Sequence, residues 1–85
     1  MTKEKFEQEL KENKHMRETY YILSAFQNED EETIILVDQI TKRVSLSFKY
    51  SEKGLIWAIN YGDVGIRELR ETLDAIIYIL DKKGD

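Results

Sequence analysis

The chain has 85 residues, no cysteine and a formal net charge of −4 at pH 7, with 35% of its residues charged. A chain of this length buries about 60 to 65% of its unfolded surface, so residues 1–85 are expected to form a single domain around one core. The absence of cysteine excludes disulfides, a thiolate nucleophile and a cysteine-ligated metal site. Its apolar runs are far shorter than the roughly 20 residues of a spanning helix. We therefore expect no signal peptide, no membrane segment and a cytoplasmic location.

Residues 2–16 are polar and favour a helix. Phe6 and Leu10 share one apolar face of that helix, whereas Met16 lies off their line. We expect a surface helix that contacts the rest of the domain through two anchors.

Four segments between residues 19 and 61 have the composition and alternation of β-strands. The clearest is residues 43–50, in which apolar and polar side chains alternate. An acidic tip at residues 28–32 follows the first strand, and a turn centred on Thr41 and Lys42 follows the second. The predicted strands are residues 19–27, 33–39, 43–50 and 55–61.

A second helix is predicted over residues 64–82. Asp63 is the expected N-cap, and Lys83 and Gly84 are expected to lie at its C-terminal end. Apolar residues that recur at spacings of three and four form one stripe along this helix. The stripe consists of Ile66, Leu69, Leu73, Ile76, Ile77 and Leu80.

The element order α-β-β-β-β-α predicts an α+β fold in which an antiparallel meander packs against the C-terminal helix. Strand parity predicts that two rows of side chains lie beneath this helix. They are Val44, Leu46, Phe48 and Tyr50 on the third strand, and Leu55, Trp57, Ile59 and Tyr61 on the fourth.

The other strands are apolar on both sides, so the second face of the sheet also needs cover. Either the N-terminal helix lies across this face or a second chain does, since large exposed apolar patches mark interaction sites. Ile79 is expected to widen the helix contact, and Tyr78 is either a lone surface aromatic or an interface anchor. The residues assigned to a dimer or partner face are Tyr21, Ile35, Ile56 and Tyr78.

Charge is unevenly distributed along the chain. Residues 18–38 carry six anions and no cation, and residues 39–61 carry four cations and one anion. An acidic hairpin of this kind favours a basic groove on another protein, as a small inhibitor that mimics nucleic acid would. The competing interpretation is a solvated hairpin tip. The assigned acidic residues are Glu18, Glu29, Asp30, Glu31, Glu32 and Asp38.

Residues suited to catalysis or metal binding are few. His15 is the only histidine, and its polar surroundings indicate a solvated residue rather than a general base. The acidic tip lacks the alternating ligands and central glycine of a calcium loop. Gly62 and Gly65 precede a helix as in anion-binding loops, but Asp63 would occupy the same amides. We expect no enzymatic activity, no metal and no cofactor.

The runner-up function is binding of single-stranded nucleic acid. Four strands followed by a helix resemble, in topology alone, the coactivator-type single-stranded-DNA-binding fold, whose dimers use aromatic and basic strand residues. Strand aromatics stack on bases and cations contact phosphates, but parity predicts that the aromatics lie under the helix and the net charge is unfavourable. The assigned cations are Lys42, Arg43, Lys49 and Lys53. The preferred expectation is a non-catalytic protein-interaction module, with a homodimer among its forms.

Overall fold

The structure, a computed structural model, describes residues 3–27, 31–62 and 64–82. It confirms the α-β-β-β-β-α order, with the N-terminal helix divided in two. The strands form one antiparallel sheet in the order β1-β2-β3-β4. The elements are α1 Lys3–Glu12, α2 Lys14–Thr19, β1 Tyr20–Gln27, β2 Glu31–Asp38, β3 Val44–Ser51, β4 Gly54–Asn60 and α3 Ile66–Asp81.

A break at Asn13 divides the helix that the sequence predicts over residues 2–16. The Asn13 side chain accepts a hydrogen bond of 3.1 Å from the backbone N–H of Met16 and so caps α2. The break changes the direction of the chain, and Met16 is buried together with Phe6 and Leu10. The N-terminal region therefore contacts the core through three apolar side chains rather than two.

The helices all pack on the same face of the sheet. The Phe6 ring of α1 lies 4.2 Å from that of Tyr50 and 6.2 Å from that of Phe48, measured between centroids. These strand residues share one core with the C-terminal helix. The N-terminal helix consequently does not cover the second face, which was one of the two expectations. The core consists of Phe6, Leu10, Met16, Tyr20, Ile34, Leu36, Leu46, Phe48, Tyr50, Ile76, Ile79 and Leu80.

The stripe that α3 buries is rotated from the predicted one. Ile66 is almost fully exposed and Ile77 is exposed, whereas Thr72 and Ile79 are buried with the core residues of the helix. The predicted widening of the contact by Ile79 is confirmed. The helix begins after Gly65, which has no side-chain cap, and the predicted caps Asp63, Lys83 and Gly84 lie outside the described residues.

The parity prediction for the fourth strand is confirmed for Leu55, which packs against the core, but is wrong for the residues after it, because a β-bulge shifts the register. Lys49 pairs with Trp57, but the next residue of β3 pairs with Leu55, so Ile56 is an extra residue in β4. Trp57 is therefore on the face opposite the helices, and Ile59, the partner of Ser47, shares that face.

A second bulge moves one end of β3 in the same way. Leu36 pairs with Leu46 beneath the helices, but Val37 pairs with Val44 on the opposite face. Val44 is exposed, which corrects its predicted place in the core. Tyr61 also lies on this opposite face, because its hydroxyl oxygen is 3.3 Å from Oγ of Ser47.

The face opposite the helices is called the open face. No described helix covers it. Its described residues are Tyr21, Leu23, Thr33, Ile35, Val37, Val44, Ser47, Lys49, Trp57, Ile59 and Tyr61.

A buried hydroxyl ties the helices to the sheet. Thr72 of α3 has no exposed surface, and its Oγ1 is 2.9 Å from the hydroxyl oxygen of Tyr20 and 2.8 Å from Nε2 of His15. His15 is thus part of a hydrogen-bonded junction between α2, α3 and β1, and not the fully solvated residue that the sequence suggests.

We expect Thr72→Val to lower the free energy of unfolding by about 1 to 3 kcal/mol, because it leaves the buried Tyr20 hydroxyl without its Thr72 partner. Tyr20→Phe in the same chain removes the stranded hydroxyl, so the double variant should regain part of this loss. Urea denaturation of the two single variants and the double variant measures both effects. Strictly additive losses would contradict the coupling.

Candidate interaction surface

The centre of the open face is a row of side chains that crosses all four strands. Leu23 pairs with Ile35, Ile35 pairs with Ser47, and Ser47 pairs with Ile59. Residues that pair directly across strands project from the same side of a sheet, so these four side chains are neighbours. The row carries no charge.

The cations near the open face lie towards its ends. Lys49 lies towards one end, in the row between Thr33 and Trp57. Lys42 borders the other end, where its Nζ donates a hydrogen bond of 2.8 Å to the Tyr21 hydroxyl and lies 4.7 Å from the ring centroid. Both cations are therefore placed at the rim of an apolar centre.

Large apolar side chains dominate the exposed part of the open face. Six of them are between 38% and 52% exposed. At about 150 to 250 Å² for a fully exposed large side chain, they leave about 400 to 700 Å² in contact with solvent. The largest apolar patch of a typical monomer is about 300 to 600 Å². The six are Tyr21, Leu23, Val44, Trp57, Ile59 and Tyr61.

The four residues assigned from the sequence to a partner face do not form one surface. Tyr21 and Ile35 lie on the open face. Ile56 is exposed at the bulge of β4. Tyr78 lies on α3, on the other side of the sheet from the open face, and its ring is 5.6 Å from Nζ of Lys82.

The sequence did not predict that this face exposes Trp57, Ile59 and Tyr61. The bulge occurs at two consecutive apolar residues, Ile56 and Trp57. No polar residue there indicates which side of the strand faces solvent. The one available signal was Lys49 on β3, since the residue opposite a charged side chain should share its accessible face.

The predicted acidic surface is only partly described. Glu29 and Asp30 lie outside the described residues, as does the Glu31 side chain, and Glu18 is exposed at the end of α2. Asp38 forms a turn, because its carboxylate accepts hydrogen bonds of 2.7 and 2.9 Å from the backbone N–H groups of the second and third residues after it. These two bonds lower the pKa of the Asp38 carboxyl.

Glu32 is completely buried, so it is not part of an exposed acidic surface. Its carboxylate accepts a hydrogen bond of 2.6 Å from the Tyr50 hydroxyl and another from the Ser24 hydroxyl. Burial, followed by this hydrogen bond and the charge of Glu32, raises the pKa of Tyr50. The phenol thus remains a donor to the carboxylate, as a buried charge requires.

Glu7 of α1 lies next to this buried carboxylate. Burial raises the pKa of Glu7, and the charge of Glu32 and a hydrogen bond to it raise it further, while Lys11 opposes the shift. Two neighbouring carboxyl groups share a proton more readily than both ionise. This pair therefore couples the contact between α1 and β2 to pH.

The four assigned cations are spread over different regions. Lys42 and Lys49 lie at the ends of the open face, and Lys53 is in the exposed β3–β4 turn. Arg43 lines a separate cleft of about 380 Å³ together with Asp38 and others on the helix side. The cleft combines cation and anions, which gives it no single charge preference.

An imidazole and a hydroxyl in hydrogen-bond contact are also parts of a nucleophilic triad, with Glu71 Oε2 at 3.6 Å from Nδ1 of His15. The hydroxyl is that of Thr72, which has no exposed surface. A substrate therefore cannot reach it in this conformation, and the contact stabilises the helix junction.

No cluster of three or more possible metal ligands occurs among the described residues. Within the same part of the chain, no helix is long and apolar enough to cross a bilayer. In comparisons with protein families, curated proteins and solved structures, nothing matches this chain.

We expect Glu7→Gln to change the pH dependence of stability. Because the pKa of Glu7 is raised in the folded chain, the folded chain binds more protons than the unfolded chain at pH values between the ordinary and the raised pKa. The stability that protonated Glu7 contributes is therefore lost as the pH rises through this window. As the pH increases from 4 to 8, Glu7→Gln should gain stability relative to the original chain. Thermal unfolding at each pH measures this difference, and Glu52→Gln, a change in an exposed turn, should show no such gain. A parallel response of both variants would contradict the carboxyl pair.

Proposed function

We infer that the protein is a non-catalytic protein–protein interaction module and that the open face is its binding surface. The observation that carries this inference is the exposure of Ile59 in the central row of the sheet and of Trp57 and Tyr61 on either side of it. Burial of such surface is the main source of free energy in protein association. The proposal covers a different protein and also a second copy of the chain.

The arrangement of the open face supports protein binding. Its centre is aliphatic and aromatic, and cations lie at the rim, as in interfaces with an apolar core and a polar border. Trp57 and Tyr61 are of the residue types that most often act as binding anchors.

The proposal does not extend to an acidic inhibitor. Glu32 is buried in the domain and Asp38 is engaged in a turn, so two of the six assigned anions have structural roles. The absence of enzymatic activity, the lack of a cofactor and the cytoplasmic location remain predictions from the sequence.

Binding of single-stranded nucleic acid is the second candidate, because the bulge in β4 removes one argument against it. Trp57 and Tyr61 are exposed rather than buried under the helix, and Lys49 is adjacent to Trp57. Aromatic and basic side chains on an open sheet suit base stacking and phosphate contact. The net charge of −4 and the aliphatic central row favour the protein partner instead.

Titration with a fluorescently labelled single-stranded oligonucleotide at low salt separates the two candidates. We expect no saturable binding, as measured by anisotropy and by the emission of Trp57, the only tryptophan of the chain. Tight binding that weakens steeply with salt, and that Lys49→Ser weakens more than Lys53→Ser, would favour the nucleic-acid function.

Partner capture with the immobilised protein tests the binding surface itself. We expect Ile59→Lys on the open face to abolish the capture seen with the original chain, because a charge in an apolar interface is costly to desolvate. Tyr78→Lys on α3 should leave the captured proteins unchanged, since Tyr78 lies in the helix layer and is 65% exposed. Identical capture by all three proteins would remove the open face from the proposal.

A further inference from the structure

We propose that the open face binds a second copy of this chain, packed face to face around a two-fold axis. This rests on the proposed function and specifies its partner. Each copy would present its helices to solvent, and the dimer would have four layers, helix, sheet, sheet and helix. Antiparallel sheets that pack in this way are separated by about 10 Å.

The area of the open face approaches that of a small dimer interface. The six exposed side chains alone leave about 400 to 700 Å² per copy, and the partly exposed Thr33, Ile35, Val37 and Lys49 add to it. A stable interface buries about 800 Å² per partner. One contact between two open faces therefore falls within the range of specific dimers.

The polarity of the open face fits self-association better than a transient partner. Its central row contains one polar residue, Ser47, among aliphatic side chains, and no charged residue. Homodimer interfaces are more apolar than those of transient complexes. The chain has a net charge of −4, but two copies that meet at the central row bring no charged residue of that row together.

The order of side chains in the central row is also complementary to itself. A two-fold axis parallel to the strands, midway between β2 and β3, reverses the row in the second copy. Leu23 then lies opposite the partner subunit's Ile59, and Ile35 lies opposite the partner subunit's Ser47. At the centre, Ile35 then packs on the side chains that surround Ser47, which is itself only 4% exposed, and at the two ends of the row aliphatic side chains meet.

The two-fold axis keeps each cation at its own end of the interface, so Lys49 lies near the partner subunit's Lys49 and both ammonium groups must stay hydrated. Lys49 and Lys42 are at opposite ends of the open face, outside the central row. Long lysine side chains cover apolar surface with their methylene groups while the ammonium group stays in water. Both residues would therefore border the interface rather than be enclosed by it.

Light scattering coupled to size-exclusion chromatography tests whether the chain binds a second copy. The loaded concentration is varied from about 1 µM to about 1 mM. We expect a mass twice the 10.1 kDa of one chain. The emission of Trp57 should shift to the red, and its quenching by acrylamide should increase, as the protein dissociates on dilution. This fluorescence measurement needs no variant, so it holds even if a substituted chain fails to fold.

Two matched variants locate the contact. Ile59→Lys should give a mass of one chain with an unchanged far-ultraviolet circular dichroism spectrum, and Tyr78→Lys on the helix side should remain dimeric. A dimer that persists in Ile59→Lys with Trp57 accessible to acrylamide would overturn face-to-face packing in favour of another contact, such as the outer edge of β4.

The outcomes also separate this inference from the proposed function. A mass of one chain at about 1 mM, together with partner capture that Ile59→Lys abolishes, would overturn the second copy and leave the open face as a binding surface. A mass of one chain without any capture that depends on Ile59 would overturn both.

Discussion

The structure depends on the fact that one sheet has two faces and that all the described helices pack against the same one. The short N-terminal helices and the C-terminal helix meet over Phe48 and Tyr50 and enclose one core. In this chain of 85 residues, the described helices therefore cover only one side of the sheet. The opposite side keeps aromatic and aliphatic residues exposed to water, and the proposed function follows from that imbalance.

The core contains polar groups that make this one-sided packing specific. Glu32 extends from β2 into the region beneath α1, where Tyr50 and Ser24 donate hydrogen bonds to it. Thr72 similarly links α3 to β1 and α2. Buried groups of this kind cost free energy unless their partners are in place. They therefore favour the arrangement in which α1 and α3 lie together over the same face and disfavour a helix on the other.

The sequence was sufficient to predict the fold class, the order of the elements and the meander, because hydrophobic periodicity and turn residues are local properties. It was also sufficient for the buried residues Leu46, Phe48 and Tyr50 of β3, but not for Val44, which is exposed, or for Ser47, which is buried on the other side. The break at Asn13 is a local feature, since the Asn13 side chain caps the backbone N–H of Met16 three residues later. The rotation of the α3 stripe towards Thr72 depends instead on a hydrogen bond to Tyr20, which is 52 residues away in the chain. No local pattern contains that information.

The candidate surface was harder to predict than the fold, because a single extra residue in a strand moves the following side chains to the other face. Ile56 has this effect on Trp57 and Ile59. The same kind of error applies to Glu32, whose charge suggested a solvated hairpin tip although its alternation with Ile34 and Leu36 placed it in the buried row. The period of the strand was in this case a better guide than the chemical type of the residue.

Cross-linking between single-cysteine variants tests most directly whether a second copy covers the open face, since the natural chain has no cysteine to interfere. The Leu23→Cys and Ile59→Cys variants are mixed at high concentration and treated with a bis-maleimide linker that spans about 10 Å, the separation of packed sheets. Face-to-face packing predicts a rapid cross-link between the two variants, and a much slower one when Tyr78→Cys replaces Leu23→Cys. Equal rates for both mixtures would contradict it.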